Sequence, residues 1–152
     1  MSEEEWKFKY RIVLGGDNIR VGDGSHAIFD DVGSTPATMG AARSLMAAHA
    51  ANPKLRLLQS DCVRAYIQAL LPECGPQTWV RLPRAWWPKE WVGKYTDPVV
   101  PLRVALYGHP KAGDLWHDKL KAALFARGFR DVEGWPSTYV RRVGKEFAAV
   151  VV

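Results

Sequence analysis

The segment AGDLWHDKLKAALFARGF, residues 112–129, is the strongest helical pattern in the chain, and a strand pair follows it closely. Trp116, Leu120, Ala123 and Leu124 recur at helical spacing as one apolar stripe, with Asp114 as the expected cap and Gly128 at the C-terminal end. Next, STYVRRVGKEFAAVVV (137–152) reads as a hairpin turning at Gly144. Along the whole chain the order reads strand, helix, strand, helix, then several strands. The expected fold is therefore α+β, a two-layer sheet-and-helix domain with helices on one sheet face.

The remaining pattern fits that class. WKFKYRIVL (6–14) alternates basic and apolar residues as a strand does, and GGDN (15–18) turns it. Residues 15–36 hold many Gly, Asp and Ser and read as loop. A helix is expected to start with Thr35 as its cap and Pro36 in its first position. Met39, Ala42, Leu45, Met46 and His49 would share one face, and Asn52-Pro53 would stop it. LRLLQSD (55–61) reads as a strand, and CVRAYIQALL (62–71) as a short helical or irregular piece ended by Pro72. TWVRLP (78–83) is a further expected strand, RAWWPKEW (84–91) a Trp/Pro-rich connection, and VVPLRVALYG (99–108) a strand in one or two pieces.

The bulk numbers bound the class. At 152 residues the chain is one domain or a fragment of one, 47% hydrophobic and 24% charged. No apolar run approaches the ~20 residues of a membrane span, so no membrane partner is expected. MSEEEWKFKY is acidic and holds no apolar core of a secretory signal. Cys62 and Cys74 have no metal spacing and read as reduced thiols of an intracellular protein, cytoplasmic or nuclear. Residues 1–54 carry six Lys/Arg against seven Asp/Glu, a net of −1, whereas residues 55–152 carry fifteen against nine, a net of +6. That asymmetry suggests a polyanionic partner such as nucleic acid; a solvated basic surface explains it equally well.

Individual residues leave alternatives open. Asp61 closes a strand-like run, where it could line a ligand crevice or cap the next segment. Cys62 has no histidine in a recognisable arrangement and reads as a small buried thiol rather than a nucleophile. The four histidines are scattered, without zinc-helix spacing. GGDNIRVGDG lacks either phosphate-loop signature and reads as a turn-rich loop. Trp86, Trp87 and Trp91 could stack bases beside Arg84 and Lys89, or simply pack.

The order of the motifs carries more than any one of them. KYRIVLGG, LLQSDCVRAYIQALL, TWVRLPRAWWP, ALYGHPKAGDLWHDKL and FAAVVV follow one another in a succession that resembles the reverse transcriptases of copia-type LTR retrotransposons. That family typically reads K-A-R-L-V, then Q-M-D-V-x-x-A-F-L, E-x-V-Y-M-x-Q-P, A-L-Y-G-L-K-Q-A-P and L-G-F. The matching residues here are Lys9 to Val13, Gln59 to Asp61 with Ala65 to Ile67, Trp79 to Pro83, Ala105 to Gly108 with Trp116, and Gly128-Phe129.

The resemblance implies a fingers-and-palm fold, with 1–54 a fingers-like segment and 55–152 a partial palm-like segment. It implies RNA-directed DNA polymerisation on an RNA or DNA template-primer with dNTPs, two Mg2+ ions about 4 Å apart moving the phosphoryl group. Asp61 would be a catalytic metal ligand and the backbone carbonyl of Cys62 a second. Tyr66 would sense the sugar, Arg11 and Lys9 would grip the triphosphate, and Gly108 would border the nucleotide. Lys111, Arg84 and Lys89 would contact nucleic acid. Two departures stand out: the family's K-Q-A-P is here Pro110-Lys111-Ala112-Gly113, and no Y-x-D-D lies within the 152 residues. The expectation is thus a fold incomplete at the C-terminus, a fragment inactive as this chain, with Mg2+ belonging to the parent enzyme and bound weakly or not at all here. The alternative is a non-catalytic relic or domesticated module that binds nucleic acid or protein.

Overall fold

The computed structural model describes residues 11–29, 34–52, 54–72 and 77–152. Its described part is mixed α+β, with two α-helices and two small antiparallel sheets. The helices are α1 (Met39–Ala51) and α2 (Ala112–Ala126). One sheet pairs β1 (Trp79–Arg81) with β2 (Val99–Pro101). The other runs β3 (Arg130–Val132), β4 (Trp135–Val143), β5 (Glu146–Val151) in that order. The expected single sheet is thus two sheets, because β1 and β2 pair with each other and with no strand of the second sheet.

The C-terminal hairpin forms where it was expected, β4 and β5 pairing from Thr138↔Val151 to Val143↔Glu146 around Gly144-Lys145. A third strand, β3, adds to it with a register shift at Asp131/Val132. Helix α2 lies against this sheet along His117, Lys121 and Phe125, positions one turn apart. Phe125 meets Tyr139 edge-on, with ring centroids 6.4 Å apart and Tyr139 only 1% exposed. Lys121 Nζ pairs with Asp131 Oδ2 at 3.0 Å, and Arg141 stacks on Phe129. Helix α2 begins at Ala112 after Lys111 as N-cap residue, so Asp114 sits in its first turn rather than at the cap. A carboxylate there still meets the positive end of the helix dipole.

Helix α1 is capped by Thr38, whose Oγ1 accepts from the Ala41 N–H at 3.1 Å, not by Thr35. Residues 34–37 serve instead as a link to the second sheet. The Ala37 N–H donates to Val152 O at 2.8 Å, and the Ser137 hydroxyl donates to Thr35 O at 2.5 Å. Holding this segment in place delays the helix to Met39. On α1 the buried residue is Ala41; Ala42, Leu45 and His49 of the expected face are half-buried, whereas Met39 and Met46 are 66% and 57% exposed, so that face holds only in part. Asn52 ends the helix, as expected, its N–H returning to Ala48 and His49 carbonyls.

The expected strand at 55–61 does not form. No strand pairing involves these residues, and 56–62 are all exposed. An alternating run becomes a strand only beside a partner edge, and among the described residues none is supplied. Residues 63–65 turn instead, with Arg64 at φ 55°, into a 3-10 turn at Tyr66–Gln68. The strand expected at 6–14 is described from residue 11 on, where Val13 makes one parallel bridge to Tyr107; its earlier part lies outside the described residues.

The central packing is built on residues 103–107. Ala105 N–H donates to Ala69 O and Leu71 N–H to Arg103 O, so 69–71 pairs antiparallel with 103–105. Ala69, Ala105 and Ala112 form a buried cluster, with Tyr66 and Leu115 packed against it. Lys119 Nζ donates to Gln68 O and seats α2 over the 3-10 turn.

Candidate functional site

Three separate segments converge beside this cluster. The Leu14 N–H donates to Tyr107 O at 2.7 Å, laying residues 13–14 along residues 107–108. Gly108 permits the approach: its φ is +86°, and a Cβ there would lie 2.0 Å from Leu14 O. Gly16 closes the contact from the other side, where a Cβ would meet Gly108 O at 1.8 Å. A side chain at either position would force the two backbones apart.

This crossing sets three side chains in a row. The Tyr66 and Tyr107 ring centroids are 4.8 Å apart and tilted 55°. Arg11 lies over the other partner of the pair, its Cζ 5.1 Å from the Tyr107 centroid. A guanidinium on an aromatic face is held electrostatically while its N–H groups remain able to bind an anion. Arg11, Tyr66 and Gly108, each expected at a nucleotide site, therefore lie together. Tyr107, the tyrosine of the A-L-Y-G motif, joins them. Its signal was an aromatic directly before an obligatory glycine.

The metal side of the expected site is different. Asp61 and Cys62 are exposed, so Cys62 is a free surface thiol rather than the buried one expected, and no hydrogen bond or ion pair of the Asp61 carboxylate occurs among the described residues. No group of three or more His, Cys, Asp or Glu among the described residues could hold a metal ion. A two-magnesium site needs several converging carboxylates, and the described residues do not bring such a group together. Lys9 lies outside the described residues. Lys111 is exposed at the start of α2, and Arg84 and Lys89 are exposed on the loop joining β1 to β2.

Of the four scattered histidines, His109 is a buried packing residue. His109, 5% exposed, follows Gly108 directly. Its Nδ1 accepts the Lys111 N–H at 3.2 Å, so Nε2 carries the proton and donates to Thr78 Oγ1 at 3.1 Å. Burial pushes its pKa below the usual 6.5, and the Lys111 cation adds to the shift. His109 thus pins the 109–112 turn to the residue preceding β1. A lone histidine in a Gly-Pro turn gave no periodic signal that could have revealed this.

No protein-family model, curated protein or solved structure matches this chain. Among the described residues, no helix is long and apolar enough to cross a membrane.

Proposed function

We propose that this chain is fingers-and-palm sequence of a copia-type reverse transcriptase, and that its retained chemistry is nucleotide and nucleic-acid binding. The observation that carries the reading is the row Arg11, Tyr107, Tyr66 beside Gly108. A cation and two aromatic rings from distant segments offer a triphosphate and a sugar complementary surfaces. The +6 net charge of residues 55–152 favours the same polyanionic ligands. Catalysis is not assigned to the 152 residues: among the described residues no group of three or more His, Cys, Asp or Glu, with or without Asp61, could hold a metal ion, and the chain is expected to extend no primer.

Affinities of the chain for dATP and ATP test the reading. Arg11→Ala should weaken both nucleotides together, by about 10-fold or more for a charge-assisted contact. Tyr66→Ala should instead erase any preference for the deoxy sugar, a ratio that mere destabilisation leaves unchanged. Equal binding of both nucleotides by wild type and both variants would sink the proposal. The exposed Asp61, outside any three-ligand group among the described residues, favours a second reading, a non-catalytic binding module descended from such an enzyme. Asp61→Asn without effect on nucleotide binding supports that second reading.

A further inference from the structure

The loop between β1 and β2 concentrates cations and rings. Within RAWWPKEWVGKYT (84–96) stand Arg84, Lys89 and Lys94 among Trp86, Trp87, Trp91 and Tyr95, with Glu90 as the one acid. The loop is stiffly built. Pro83 and Pro88 each open a 3-10 turn, Arg84–Trp86 and Lys89–Trp91. The Trp87 Nε1–H donates to Leu82 O at 3.0 Å and fixes the ring. At the base, β1 pairs with β2, and Arg81 Nε meets Asp97 Oδ1 at 2.7 Å.

These turns border an open surface pocket of about 300 Å³ lined by Arg84, Trp87, Gly93, Lys94, Tyr95 and Thr96. Two of its lining residues are cations, two are aromatic and none is acidic. Arg84 Cζ lies 5.8 Å from the Trp87 ring centroid, and Lys94 Nζ 5.3 Å from that of Tyr95. Trp91 braces Tyr95 edge-on at 5.9 Å, while Tyr95 remains 47% exposed. Braced aromatics beside cations supply both things a nucleotide unit presents, a flat base and an anionic phosphate.

We propose that this pocket binds single-stranded nucleic acid, a base stacking on Tyr95 and Trp87 with its phosphate between Arg84 and Lys94. A duplex hides its base faces, so the rings select unpaired strands. The pocket contacts expected are to base faces and phosphates, which RNA and DNA share. The inference rests on the nucleic-acid part of the function proposed above and not on its nucleotide site.

Fluorescence anisotropy of the 152-residue chain with labelled oligo(dT) and oligo(rU) tests it. Both strands should bind, and a duplex of equal length more weakly. Tyr95→Ala should weaken both single strands by about 5- to 150-fold, the range of one lost base stack. Tyr95→Phe, which keeps the ring, should bind as wild type does. Lys94→Ala should lower the slope of log affinity against log salt by about 1. Strand binding unchanged in both Tyr95→Ala and Lys94→Ala overturns the pocket and leaves nucleic-acid binding elsewhere on the chain standing. No binding of either oligonucleotide overturns both.

Discussion

Replacing Gly108 by alanine should be among the most damaging single-methyl changes in this protein. Two effects add. At φ +86° an L-residue is strained by about 1–2 kcal/mol. The new Cβ would also sit 2.0 Å from Leu14 O, where contacts under 3.0 Å are not tolerated, so the backbones must part by about 1 Å. Parting them loses the Leu14–Tyr107 hydrogen bond, about 1 kcal/mol, and loosens Arg11 from Tyr107. The expected total is about 2–4 kcal/mol, or roughly 5–15 °C in Tm for a chain of this size. Gly93→Ala is the internal control: its φ is +81°, yet nothing lies within 4 Å of its Cβ position. Strain alone should act there. Urea unfolding followed by circular dichroism measures both, and amide exchange at Leu14 reports the local opening. If the two variants agree within about 0.5 kcal/mol, with the Leu14 amide equally protected, the close approach is not what Gly108 serves.

Thr38→Ala should destabilise by about 1 kcal/mol through loss of the α1 cap. Thr35→Ala should be nearly neutral, since the Ser137 hydroxyl is received by its carbonyl rather than its side chain. Chemical denaturation of the two variants distinguishes them, and a larger loss at Thr35 would contradict the assigned cap. His109 predicts an acid-side weakening. Its folded-state pKa is lowered, so the unfolded chain takes up the proton first as pH falls. The contribution is whole above about 6.5 and is lost progressively below it, towards the lower folded-state value. Thermal unfolding between pH 7.5 and 5.5 should show this slope in wild type and a flatter one in His109→Gln; parallel slopes would refute it.

Legibility in the sequence followed the locality of the forces. Helix α2 and the β4–β5 hairpin carry their own signals, an apolar stripe at helical spacing and a glycine turn, and both stand where read. Strand β3 is the three residues Arg130–Val132, too short for any period, and exists because β4 offers an edge. The choice between Thr35 and Thr38 was decided by Ser137 and Val152, more than a hundred positions away. Residues 55–61 show the converse, a strand pattern left without a neighbour. For the candidate site, motif order pointed to Arg11, Tyr66 and Gly108 one at a time. That they meet through Tyr107 depends on a backbone crossing no local pattern encodes.

The link from residues 34–37 to the last strands bears on the order of folding. Thr35 and Ser137 lie 102 residues apart, so their contact closes a very long loop and is entropically late. Helix α1 has 13 residues and is marginal in isolation. On a ribosome it would wait on the order of 5–20 s for its docking strands to be made. During that interval its exposed Met39 and Met46 offer a handle to chaperones, and the completed protein would first open at this same seam.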